Sequence, residues 1–203
     1  MDAPGITVSY IKEMNGHAEL NEVFFDGVRV PKYNVLGPVN EGWKVANRLL
    51  GYERGVLTME YVARYELRWR ELREHARTTH RGGLALIERP HIREALARTY
   101  MNIEMMRLAN LRWIMHYVRG VPPGEETSYI KLYWAEADQA LADLSLELGG
   151  ARALALPGEP GALHDGVWAA DWMYSRAITI LGGTEDIQRN IIAERLLGLP
   201  RGR

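Results

Sequence analysis

Residues 41–59 read EGWKVANRLLGYERGVLTM, and the stretch from Glu41 to about His80 decides the fold. It contains no proline and few β-branched residues. Trp43, Ala46, Leu50, Leu57, Tyr61, Tyr65, Trp69, Leu72 and Ala76 recur at steps of three or four, giving one apolar stripe on a helix rather than the alternation of a strand. One continuous helix of that span would run roughly 55–60 Å at ~1.5 Å per residue, long enough to be a wall for its neighbours. Glu53 interrupts the stripe, with leucine or valine at every position three or four residues away. A carboxylate so placed needs a distant partner, water, or a raised pKa. Gly51 and Gly55 flank it, each costing a helix about 1 kcal/mol against alanine. Close approach by another helix and clearance for a ligand both account for them.

Outward from this stretch, the chain divides at about residue 38. Ile6, Val8 and Tyr10 alternate as a strand; Leu20, Val23, Phe24, Val28 and Val30 form a second extended pattern across the turn-like Asp26–Gly27. So few strands make no independently stable sheet, so residues 1–38 read as the closing strands of a β domain whose earlier strands are missing. Residues 39–203 read as an up-and-down helical bundle, making the fold mainly α. A second helix is expected after Pro90 and a third to about Leu148, its stripe running through Tyr129, Leu132, Tyr133, Ala137, Leu141 and Leu144. Pro122 to Glu126 separates those two. A fourth spans Leu163 to Ile180, and a last runs from Thr184, a good N-cap followed by Glu185 and Asp186, to about Leu197.

Composition narrows the function classes. Lys plus Arg number 25 against 26 Asp plus Glu, without the basic clustering of a nucleic-acid or anionic-membrane surface. Cysteine is absent, excluding disulfides and thiolate chemistry. With no signal peptide or long apolar span, a soluble cytoplasmic protein is the expectation. The six histidines lack metal-ligand spacing, and Met101, Met105 and Met106 read as packing. The acids after Thr184 would repel a phosphate, whereas Gln188 offers neutral hydrogen bonding to a polar ligand.

The stretches GHAELNEVFFDGVRVPKYNVLGPVNEGWKVANRLLGYERG (16–55) and ILGGTEDIQRNIIAERLLGLPR (180–201) resemble the later half of acyl-CoA dehydrogenases: the last strands of the β domain, then the C-terminal helical domain. The resemblance implies a flavoprotein using FAD to remove two hydrogens across the α–β bond of an acyl-CoA thioester. A glutamate takes the α proton, the β hydrogen leaves as hydride to N5 of FAD, and electrons pass to an electron-transferring flavoprotein. It also implies a homodimer or homotetramer. The commoner base position, the glutamate of IYEGT, corresponds to Gly182 in ILGGT, which cannot serve. The alternative, the glutamate of an ER pair on the first long helix in isovaleryl- and long-chain-like branches, corresponds to Glu53, with Arg54 after it supporting local geometry.

The same resemblance nominates FAD contacts. Thr184 and Gln188 keep the GTxxIQ pattern; Arg77 or Arg81 in ARTTHRGG would inherit the role of the RxxFG arginine; LELGG carries Leu146 where QxxGG has glutamine. Family members begin with a helical domain and further strands that have no counterpart before Met1. The chain is therefore expected to need a missing N-terminal half or partner subunit, and to bind FAD and turn over poorly alone. A non-catalytic assembly partner of an intact dehydrogenase subunit, or an unrelated helical interaction domain, are the competing expectations.

Overall fold

The computed structural model describes residues 3–53, 58–121 and 124–201. The chain forms two compact units that meet in sequence between Arg48 and Leu49.

In the first unit, β1 (Ile6–Ile11) pairs antiparallel with β2 (Leu20–Phe25), in register from Ile6 opposite Phe25 to Ile11 opposite Leu20. The Glu13 carboxylate fastens the intervening loop, accepting from the backbone N–H groups of Glu19 at 2.7 Å and Leu20 at 3.1 Å. The second strand is shorter than its extended pattern. Phe25 already pairs with the first residue of β1, and among the described residues no strand lies opposite Val28 and Val30. A short 3-10 turn at Lys32–Asn34 precedes α1 (Gly42–Tyr52). Trp43, expected on the buried stripe, is 77% exposed, and α1 buries no residue fully.

The expected single long helix is described as two, α1 and α2 (Thr58–Thr78). Arg54, Gly55 and Leu57 lie outside the described residues. A second hairpin, which the sequence reading missed, follows α2: β3 (His80–Arg81) pairs with β4 (Leu84–Ala85). Gly82 and Gly83 form its two-residue turn at φ +63° and +82°, the left-handed pair that matches strand twist. Then come α3 (Pro90–Val118), opened by proline at its first turn, and α4 (Thr127–Gly149). Pro122 and Pro123 between them lie outside the described residues. α5 (Val167–Ile178) starts later than expected. Before it, His164 and Asp165 adopt left-handed φ of 47° and 53°, and the His164 ring stacks on Trp168 at 4.5 Å. α6 (Glu185–Ile191) ends in a π-type turn at Ile192–Leu196.

The result is a mainly helical bundle preceded by a small antiparallel hairpin. α4 is its axis, packed against α2, α3, α5 and α6. Leu72 and Ala76 of α2, Ile103 and Met106 of α3, Ala135, Leu141 and Leu148 of α4, and Ile178 of α5 form the core. Each fully buried leucine or isoleucine contributes about 1.5–3 kcal/mol over exposure. Because α4 is surrounded, its buried face is broader than one stripe. Ile130, Lys131 and Trp134 are buried, while Tyr129, Leu132 and Tyr133 are only half-buried. Met106 is core as expected, but Met101 and Met105 are exposed. No described helix is long and apolar enough to cross a membrane.

Candidate active site

Glu53 follows α1 directly, is half-buried, and is π-helical in its backbone, a geometry that recurs at functional sites. Its carboxylate approaches the turn between α5 and α6. The Glu53 Oε1 lies 3.9 Å from where a Cβ on Gly182 would stand, and the Cε and Cδ of Lys131 lie 3.6 and 4.0 Å from the same point. Gly182 has φ +68°, which the missing Cβ makes inexpensive. The two positions nominated by the resemblance, one holding a glutamate and the other a glycine, therefore converge on one space.

That turn is pinned from both sides. Lys131 of α4 is fully buried, donates from Nζ to the carbonyl of Ile178 at 2.5 Å, and lies 5.6 Å from the Trp134 ring centre. Its ammonium therefore meets the carboxyl end of α5, where the helix dipole favours a cation. From α6, the Gln188 amide nitrogen donates to the carbonyls of Gly182 and Gly183 at 3.2 and 3.3 Å. Gln188 is fully buried, and its Oε1 has no hydrogen-bond partner among the described residues. Thr184 caps α6 as its sequence suggests, its hydroxyl accepting from the Ile187 N–H at 3.4 Å, and it remains exposed.

The remaining nominated residues stand elsewhere. Arg81 donates to the Leu148 carbonyl at 3.2 Å, and its guanidinium lies 3.1 Å from where a Cβ on Gly150 would stand, so the ARTTHRGG and LELGG segments do meet. Arg77 is exposed beside Glu74, 3.9 Å away. Leu146 packs against the hydrophobic core. Arg54 lies outside the described residues. Lys131 escaped the sequence reading because a lysine on a helix defaults to a solvated face; its alignment one turn from Trp134 was the available signal.

A second buried polar group lies deeper in the bundle. Trp134 Nε1 donates to the Tyr65 hydroxyl at 2.8 Å. Burial raises the Asp138 carboxyl above the usual carboxylate range against the opposing effect of its hydrogen bond with Tyr65, and burial together with Asp138 raises the Tyr65 hydroxyl. Among the described residues, no group of three or more histidine, aspartate or glutamate side chains could hold a metal ion. For a flavin, the exposed Thr184 and the unpartnered Gln188 oxygen at the Gly182 turn are compatible with a polar ring edge.

The family model for the acyl-CoA dehydrogenase C-terminal domain matches residues 40–197. The curated acyl-CoA dehydrogenase IpdE1 of Mycolicibacterium smegmatis is 37% identical over 201 residues, covering 99% of this chain and 48% of its own length. FadE34 of Mycobacterium tuberculosis is 33% identical over 209 residues, covering 99% and 26%. Among solved structures, the Tcur3481-Tcur3483 steroid ACAD superposes with TM-score 0.87 at 28% identity, covering 99% of this chain and 50% of that one. The ChsE4-ChsE5 complex from Mycobacterium tuberculosis gives 0.83 at 31%, covering 99% and 52%. The chain spans about half the length of the IpdE1 relatives it matches.

Proposed function

The chain belongs to the acyl-CoA dehydrogenase family, and on that premise we propose that it supplies the base-bearing wall of an FAD-dependent site for α,β-dehydrogenation of an acyl-CoA thioester. The observation that carries this is the approach of the Glu53 carboxylate to the space beside Gly182. The α proton of a thioester is weakly acidic, so its removal needs a carboxylate at fixed distance and orientation. Glu53 takes that proton. Lys131 and Gln188 hold the facing turn from α4 and α6, so the site has one rigid side. Bound FAD would supply the hydride acceptor, with Thr184, Gln188 and one of Arg77 or Arg81 as its contacts. Electron-transferring flavoprotein would then receive the electrons. A base at Glu53 supports a reading within the isovaleryl- and long-chain-like branches, and the likeness to the steroid enzyme favours a bulky acyl group.

The test is Glu53→Gln in an assembled, flavin-loaded enzyme containing this chain, assayed by acyl-CoA-dependent reduction of an artificial acceptor. The expected result is a roughly 10²–10⁴-fold loss of turnover with unchanged flavin absorbance and melting temperature. Full turnover in the variant would remove Glu53 from the chemistry. It would leave the second reading, a non-catalytic assembly partner of an intact subunit, which the core-packed Leu146 favours.

A further inference from the structure

Lys131 is kept from water altogether. It is 0% exposed, although a lysine stem is long enough to carry its ammonium out to solvent from most helix positions. Burying an ammonium is costly, and an apolar residue of the same length would spare that cost. Packing alone therefore does not account for a lysine here. What its charge reaches is the carboxyl end of α5. Nζ donates to the carbonyl of Ile178, the last residue of that helix, at 2.5 Å. The Trp134 ring, 5.6 Å from Nζ, is itself held by the bond from its Nε1 to the Tyr65 hydroxyl. The Lys131 stem ends beside the point where a Gly182 Cβ would stand, with Cε 3.6 Å and Cδ 4.0 Å away, and Glu53 Oε1 lies 3.9 Å from that same point.

Two side chains tie residues 178–183. Gln188 does so through bonds of 3.2 and 3.3 Å to the Gly182 and Gly183 carbonyls, and Lys131 through a shorter, charge-assisted one. We propose that Lys131 is a positioning residue for the proton transfer assigned to Glu53, and the proposal rests on that assignment. By holding the last carbonyl of α5 and filling the space beside Gly182 with its stem, Lys131 sets the gap between the turn and the Glu53 carboxylate. The role is indirect: Lys131 acts through the turn, not on the thioester. A reacting group misplaced by about 1 Å loses as much as 10²-fold in rate. A buried charge that weakens the fold is therefore retained where it fixes that distance.

Because the sequence contains no cysteine, a thiol introduced by Lys131→Cys can be alkylated selectively in the unfolded chain. With 2-bromoethylamine it regains an ammonium at lysine length; with 1-bromopropane the same chain ends in a methyl. The two products differ at one terminal group. Both are refolded and assayed in the assembled, flavin-loaded enzyme, and Lys131→Met, expressed directly, gives the apolar comparison without refolding. The propyl form and Lys131→Met should lose roughly 10²-fold in kcat. KM for acyl-CoA should stay within about twofold, with flavin absorbance and melting temperature unchanged, and an α-deuterated substrate should show a larger isotope effect. The aminoethyl form should regain most of the rate. In the chain alone, amide exchange across residues 179–184 should quicken about tenfold in the propyl form but not in the aminoethyl form. Equal kcat in the two alkylated forms would overturn the proposal. So would a loss that comes with a lower melting temperature and less flavin, which would make Lys131 a support of the fold alone. Glu53→Gln, assayed alongside, keeps the two readings apart. Full turnover there removes the base itself, whereas an inactive Glu53→Gln beside a fully active propyl form removes only the positioning role.

Discussion

Gly182 bears no side chain, and the Glu53 Oε1 lies 3.9 Å from where one would begin. A carboxylate launched from either residue would thus serve the same space, which makes the assignment testable by transplantation. Glu53→Gly alone should abolish turnover in the assembled, flavin-loaded enzyme. Adding Gly182→Glu should restore part of it, short of the original for two reasons. A glutamate at φ +68° carries about 1–2 kcal/mol of backbone strain, and its Cβ would stand 3.6 Å from the Lys131 stem. A double variant as inactive as the single one, with flavin content unchanged, would show that the two positions do not share a function. Glu53 was legible in the sequence as a charge on an apolar stripe, and Gly182 as a gap in a motif. Their convergence was not, because it depends on the turn that Lys131 and Gln188 fix from two other helices.

At the scale of elements, the packing around the end of α4 is tight enough to fix one residue type. A Cβ on Gly149 would stand 2.5 Å from Ala153 Cβ, 2.9 Å from Leu163 Cδ1 and 3.1 Å from Trp168 Cζ3. Gly149→Ala should therefore lower stability by about 1–3 kcal/mol in denaturant unfolding, the usual cost of overpacking; an unchanged midpoint would contradict the packing described. The neighbouring contact of α2 with α5 adds a pH dependence. His75 meets the Trp168 ring at 5.0 Å and the His164 ring at 6.3 Å. Burial first, and then the His164 charge, hold the His75 imidazole below its ordinary value. The unfolded chain therefore binds that proton more readily, so the contribution of His75 to stability is present above about pH 6.5 and fades as pH falls. Melting temperature should drop between pH 7 and 5.5, and His75→Gln should reduce the drop. An identical decline in that variant would exclude His75 as its source. Helices with clear punctuation were readable in advance: Pro90 opens α3, and Thr184 caps α6. The left-handed His164–Asp165 turn and the phase of α4 were not. The first is compensated by a stacking contact and the second by neighbours on several sides, and neither leaves a periodic trace.

For the whole molecule, the family assignment and the bundle were legible, because motifs near both ends of the helical region survive in order. The completeness of the flavin site is a property of many side chains at once. Several of the groups the resemblance offers to FAD already have partners within this chain. Arg81 donates to the Leu148 carbonyl, Arg77 lies beside Glu74, the Gln188 amide faces the Gly182–Gly183 carbonyls, and Leu146 offers no hydrogen bond. A flavin bound by this chain would have to compete with those contacts. Titrating the purified chain with FAD should therefore leave a visible spectrum close to that of free flavin, and a dehydrogenase subunit that completes the site should be required to shift it. A shifted band saturating at one FAD per chain would reverse this argument: the polar groups would then rearrange on binding, and acyl-CoA bleaching of the isolated chain would become the direct assay of Glu53.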